Sequence, residues 1–196
     1  MMHHDRGAPV RRWIALGVLV LAGCGEAMGP VSSESSFTAD VRGAVNERLS
    51  GTASASDGAS RQFATQFTAP NGTTLSVIAL LSSSGTTISF TREGTALPLG
   101  TSTLGSIRVA SAPAVGRFSA AYVVRKSNGL QVSLADSGTI TITGAGSRVT
   151  GTFVLHASEY QVLPFPTPGI VGQPITPLET GSAPITITGT FDAARR

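Results

Sequence analysis

The chain has 196 residues, room for one domain built around one hydrophobic core. Charged residues make up 13%, while Gly (23), Pro (11) and short β-branched runs are frequent, which excludes a mainly helical protein and argues for many short strands joined by turns. Beyond residue 23 only Arg125-Lys126 and Arg195-Arg196 are adjacent cations, so the clustered positive surface that nucleic-acid binding needs is missing.

The first twelve residues, MMHHDRGAPVRR, are polar and carry Arg6, Arg11 and Arg12. With Asp5 they account for two of the three net positive charges of the chain. Residues 13–22, WIALGVLVLA, form an apolar run of signal-peptide length, short of the ~20 residues a spanning helix requires. Small residues Ala22 and Gly23 then precede Cys24, the single cysteine. The run LAGC at 21–24 resembles the bacterial lipobox at all four positions. That resemblance implies export, diacylglycerol attachment to the Cys24 thiol, cleavage after Gly23 and acylation of the new amino terminus. More than one acyl chain is what firm anchoring demands. Gly25 rather than Asp follows the cysteine, which by the same resemblance favours the outer membrane in a host that has one. Arg11-Arg12 resembles a twin-arginine signal, but its flanks are poor and general secretory export fits better. The expected organisation is a signal peptide at 1–23, a lipidated flexible tether at 24–36 and an all-β domain at 37–196. With no second cysteine, no disulfide forms within one molecule.

Within the domain, FTADV places Phe37, Ala39 and Val41 on one face, and Phe63 and Phe67 share a face in RQFATQF. Residues 44–50, AVNERLS, fit either a turn of helix or a strand. TTLSVIALLSS, after Asn71-Gly72, is apolar enough for a central strand, and TTISFTR turns Ile88 and Phe90 inward. GRFSAAYVVRKSNGLQVSLAD reads as a hairpin: Phe118, Ala120, Tyr122 and Val124 share one face, Asn128-Gly129 turns, and Leu130, Val132 and Leu134 return. SGTITITGAGSRVTGTFVLHA is a second hairpin, pairing Ile140 and Ile142 with Val149, Phe153 and Leu155. PITITGTFDA closes the domain with Ile185, Ile187 and Phe191. The expected fold is all-β, a single antiparallel β-sandwich or partly open barrel of about nine or ten strands.

The succession SGTITIT, VTGTFVLHA and ITITGTFDA, over roughly 137–192, resembles uncharacterised β-rich bacterial envelope lipoproteins. The resemblance implies fold and envelope location and brings no activity.

Catalytic chemistry finds no footing in the sequence. His156 is the one histidine left after the signal, and alternation puts it with Thr150 and Thr152 on the face opposite Phe153 and Leu155. There is no G-x-S-x-G elbow, no phosphate-cradling glycine motif and no ligand set for zinc. No enzyme, metal or cofactor is expected. Thr139, Thr141, Thr143, Thr150, Thr152, Thr186, Thr188 and Thr190 fall on outward positions of three strands, where threonine is a good strand former. Regular threonine ladders also bind ordered water or sugar surfaces. Residues 160–184 form a long Pro-rich loop holding six prolines and several large apolar side chains. Either the loop packs over an open end of the β domain or it presents an apolar patch, with Leu163, Phe165, Ile170, Val171 and Ile175 as candidate partner or ligand contacts. The function expected is a membrane-tethered, non-enzymatic binding or structural role toward an envelope protein or glycan. The alternative is a carrier of a small apolar ligand in a β-barrel cavity.

Overall fold

The computed structural model describes residues 34–53, 62–68, 72–105, 116–165 and 177–195. Cys24, the expected signal peptide and most of the expected tether lie outside them, as do Ile170, Val171 and Ile175. Eleven strands follow in chain order: β1 Ser35–Gly43, β2 Glu47–Ala53, β3 Gln62–Thr68, β4 Thr74–Leu81, β5 Thr87–Glu93, β6 Gly100–Thr103, β7 Phe118–Arg125, β8 Leu130–Leu134, β9 Ser137–Ala145, β10 Arg148–Leu163 and β11 Glu179–Arg195. Among the described residues there is no helix. The all-β expectation holds.

All eleven strands join one hydrogen-bonded sheet, folded into two layers. One layer runs β2-β1-β11-β10-β9-β6; the other runs β3-β4-β5-β7-β8. The long strands β10 and β11 make both corners. β10 pairs with β9 along its first half and gives Tyr160–Leu163 to β8. β11 pairs with β1 and then, at Ala194 and Arg195, runs parallel to β3. β10 changes partners at a bulge between Ala157 and Glu159. A bulge bends a strand and leaves a backbone donor without its ladder partner. Asp136 supplies one: its Oδ2 accepts from the Ser158 N–H at 2.7 Å and from Ser158 Oγ at 2.5 Å. The result is a sandwich whose corners are hydrogen-bonded, equivalent to a flattened, partly open barrel.

The core lies between the layers. Phe90 of β5 crosses the gap to Phe153 of β10 and Phe191 of β11, with centroid separations of 5.1 and 6.4 Å. Around these rings Ile78, Leu80 and Ile88 face Ile140, Ile142, Leu155 and Ile187, all fully buried. A second apolar face backs the β3-β4-β5-β7-β8 layer, where Val77, Ala79, Val123 and Val132 are also buried. Burial on both faces explains why β4 reads as a nearly unbroken apolar run.

Several local expectations change. Phe63 and Phe67 do share a face, but it is this second one, and Ala64 enters the core between them. Leu130, Val132 and Leu134 stand opposite Arg125, Val123 and Ala121, so they too occupy the second face, away from Phe118, Ala120 and Tyr122. The loop Lys126–Gly129, closed by the Lys126 N–H on the Gly129 carbonyl at 2.8 Å, has an even number of residues. An even loop pairs even-numbered with odd-numbered positions, and a one-residue change of parity moves a whole strand to the other face. Residues 44–50 resolve into a turn and β2. The additional strand β6, GTST, carries no large apolar side chain that would reveal it. β1 begins at Ser35, so Ser35 and Ser36 belong to the sheet rather than the tether, and buried Ser35 Oγ accepts from the Ala194 N–H at 3.2 Å. Finally, β10 continues to Leu163 and β11 starts at Glu179, paired with Val162. The expected loop 160–184 therefore narrows to the connection 164–178.

Candidate interaction surfaces

Strand directions fix where the narrowed connection lies. Ser36 near the start of β1 pairs with Asp192 near the end of β11, so β1 begins at that end. From Asp192 back to Glu179, β11 extends about 40 Å at ~3.3 Å per residue. The end of β10 at Leu163 and the start of β11 at Glu179 are therefore at the opposite end of the sheet from the start of β1. There Leu163 is partly buried, paired with Leu130. Phe165 is 38% exposed, with the Arg125 guanidinium 4.9 Å over its ring. Leu178 is 56% exposed, its N–H held by the Val162 carbonyl at 2.7 Å. Val45, exposed in the β1–β2 turn, lies toward this end, where the Ala44 N–H donates to the Pro184 carbonyl. Tyr160 donates to Glu179 at 2.6 Å; that hydrogen bond, with some burial and the carboxylate charge, raises the Tyr160 phenol above its ordinary value.

The second surface is the outer face of the β2-β1-β11-β10-β9-β6 layer. The three-strand threonine pattern expected there is present, and three more strands extend it. Register places Ser50, Thr38, Thr190, Thr152, Thr141 and Thr101 in one row across all six strands. The neighbouring row is Arg48, Asp40, Thr188, Val154, Thr139 and Thr103. Hydroxyls touch across strands at Thr38–Thr190 (3.2 Å), Thr101–Thr141 (2.8 Å) and Thr143–Thr150 (3.0 Å). A shallow concavity of about 390 Å³ opens between the two rows over β1, β11 and β10. Gly189 lies beneath it, on the inner side, where a Cβ would stand 2.6 Å from the Phe153 ring. The contributions of β1, β2 and β6 escape a sequential reading because β1, which carries β2 on its other edge, joins β11, and β6 joins β9, both out of chain order.

His156 sits on the same outer face, exposed, with Nδ1 2.9 Å from Thr186 Oγ1. Glu159 lies beyond the bulge, opposite Ser182. Among the described residues no cluster of three or more His, Cys, Asp or Glu could hold a metal ion. The space between the layers, where a carried ligand would sit, is occupied by the Phe90, Phe153 and Phe191 rings.

The fold and its surfaces define a two-layer β-sandwich with a hydroxyl-lined outer sheet and an exposed apolar tip. Comparison with protein-family models, curated proteins and solved structures finds no match for the chain.

Proposed function

We propose that the chain is a bacterial cell-envelope lipoprotein in which an acylated Cys24 tethers a non-enzymatic β-sandwich to the membrane surface, the outer membrane where the host has one. In this role the domain binds or scaffolds another envelope component through the 164–178 end. The observation that carries the reading is the separation of the two ends. The chain from Cys24 enters beside Ser35, while Phe165 and Leu178 are exposed about 40 Å away along β11. A tether at one end and apolar side chains at the other suit a domain that stands on a membrane and reaches outward. Phe165 beneath the Arg125 guanidinium suits a partner that is apolar with an acidic rim.

The test is intact-mass analysis of the membrane fraction for wild type and Cys24→Ala. A wild-type chain starting at Cys24 with added diacylglycerol, and no such species in the variant, is expected. An unlipidated product cut elsewhere overturns the anchor. For the tip, a photo-crosslinking residue at Phe165 is expected to capture an envelope protein that the same residue at Thr103 does not. Equal capture from both positions removes the tip from the reading.

A further inference from the structure

We infer that the outer hydroxyl face is a binding surface for an uncharged, extended glycan chain lying across the strands in the concavity between the two rows. This goes beyond the tethering role and does not depend on it.

The first support is the chemistry of the concavity. Its walls include Thr38, Thr152, Thr188 and Val154, with Asp40 and Arg48 at one side. Asp40 and Arg48 stand directly opposite each other on β1 and β2, yet among the described residues neither side chain has a hydrogen-bond or ion-pair partner. A half-buried carboxylate and an exposed guanidinium left open beside the Thr152 and Thr188 hydroxyls offer a strong acceptor and a strong donor with no net charge. A polyol satisfies both. A polyanion meets Asp40, and nucleic acid lacks the clustered cations it needs. A protein partner lacks aromatic or large aliphatic anchors on this face.

The second support is geometric. Neighbouring strands lie about 4.8 Å apart, so a row across six strands sets hydroxyls at that repeat over about 24 Å. This repeat is close to the length of one ring in an extended β-linked polysaccharide. The same rows could suggest a crystalline surface such as ice, but sheet twist decides against it. Each strand turns by ~20–25° from its neighbour, about 100° over the face, so the rows cannot lie flat on a crystal plane. A single glycan chain follows the twist. Without an aromatic platform, affinity comes from hydroxyl, charge and C–H contacts, and a Kd on the order of 0.1–1 mM is expected.

The experiment uses the full-length chain with Cys24→Ala, purified in a detergent without a sugar headgroup, and titrates it calorimetrically with cellohexaose and with chitohexaose. Removing the acylation site separates this result from the anchor, which is judged by mass alone. Saturable binding of either hexamer is expected. It should weaken at least tenfold in Thr152→Val/Thr190→Val and in Asp40→Asn. Thr68→Val, the same chemical change on β3 in the other layer, should stay within twofold of the parent. Each variant is melted first, and Val keeps the branched shape that strands favour. Absence of saturation at low millimolar hexamer overturns the inference. So do equal binding by the Thr152→Val/Thr190→Val variant, preference for polygalacturonate over both neutral hexamers, and arrest of ice growth with no sugar binding.

Discussion

The phenol of Tyr122 on β7 donates a 2.5 Å hydrogen bond to the carboxylate of Glu47 on β2, joining the two layers at the open edge of the sandwich. Glu47 pairs with Val41, an inward position, so an acid at the start of an edge strand points toward the core. Inward charges on edge strands discourage further strand addition, and Tyr122 gives this one a partner. Burial first, then the Glu47 hydrogen bond and charge, raise the phenol well above its ordinary value of 10.0.

The sign of the pH effect follows. The folded state holds the Tyr122 proton more tightly than the unfolded state, so stability is fully present below pH 10 and falls as pH rises beyond it. Melts from pH 7 to 11 should show this loss in wild type and its reduction in Tyr122→Phe. At pH 7 the same variant should lose about 1–3 kcal/mol, because Glu47 is left without its donor. Tyr160→Phe is the control: its phenol is also raised by an acid partner but lies outside the core, and the alkaline loss should persist.

Phe90 packs its ring against Phe153 across the layers, with centroids 5.1 Å apart. It is fully buried, and truncation leaves a hole bordered by the Phe153 and Phe191 rings. Phe90→Ala should cost about 3–5 kcal/mol in urea unfolding, a large share of the stability of a domain this size. Phe165→Ala, which removes an exposed ring, should stay within about 0.5 kcal/mol of wild type.

Much of this core was legible in the sequence because it obeys period two. Phe37, Ala39 and Val41, or Ile140 and Ile142 against Phe153 and Leu155, alternate cleanly and pair as the alternation requires. What escaped depends on relations that one strand cannot display. The second apolar face became visible only when register put Leu130 opposite Arg125 and Phe63 opposite Ala79. β6 has no apolar side chain to announce it, and it is a strand because β9 offers it an edge. The prolines at 164–184 suggested a longer loop, yet Pro184 lies within β11. The outer face was half legible: the threonines of β9, β10 and β11 stand in plain alternation. Asp40 and Arg48 look like scattered surface charges until the order β2-β1-β11-β10 brings them to one concavity.

Gly189 connects the core to that face. It lies between Ala39 and Phe153 in register, and a Cβ there would stand 2.5 Å from the Thr38 carbonyl oxygen and 2.6 Å from the Phe153 ring. Gly189→Ala should therefore destabilise by about 1–3 kcal/mol despite adding one methyl group. Shortening the opposing ring should relieve part of the clash. Gly189→Ala combined with Phe153→Leu is expected to lose less than the sum of the two single losses, and urea unfolding of the four proteins measures the coupling. Additive losses would place the strain at the Thr38 backbone instead.

Arg148 ties the entry point of the chain to the sheet. Its Nε donates to Asp192 Oδ1 at 2.6 Å, and its Nη2 donates to the Glu34 carbonyl, the residue just before β1. Both side chains of the ion pair are partly exposed, at 25% and 38%, so the pair alone is worth at most about 1 kcal/mol and weakens with salt. Its larger effect should be local. Without Arg148 the Glu34 carbonyl loses this partner, and among the described residues the first residues of β1 are held by their ladder bonds and the Ser35–Ala194 contact. Arg148→Ala should lower global stability by no more than about 1 kcal/mol while accelerating amide exchange at Ser36 and Phe37 relative to Val41. Uniform acceleration along β1 would mean that the strand opens as one unit and that Arg148 does not clamp its start.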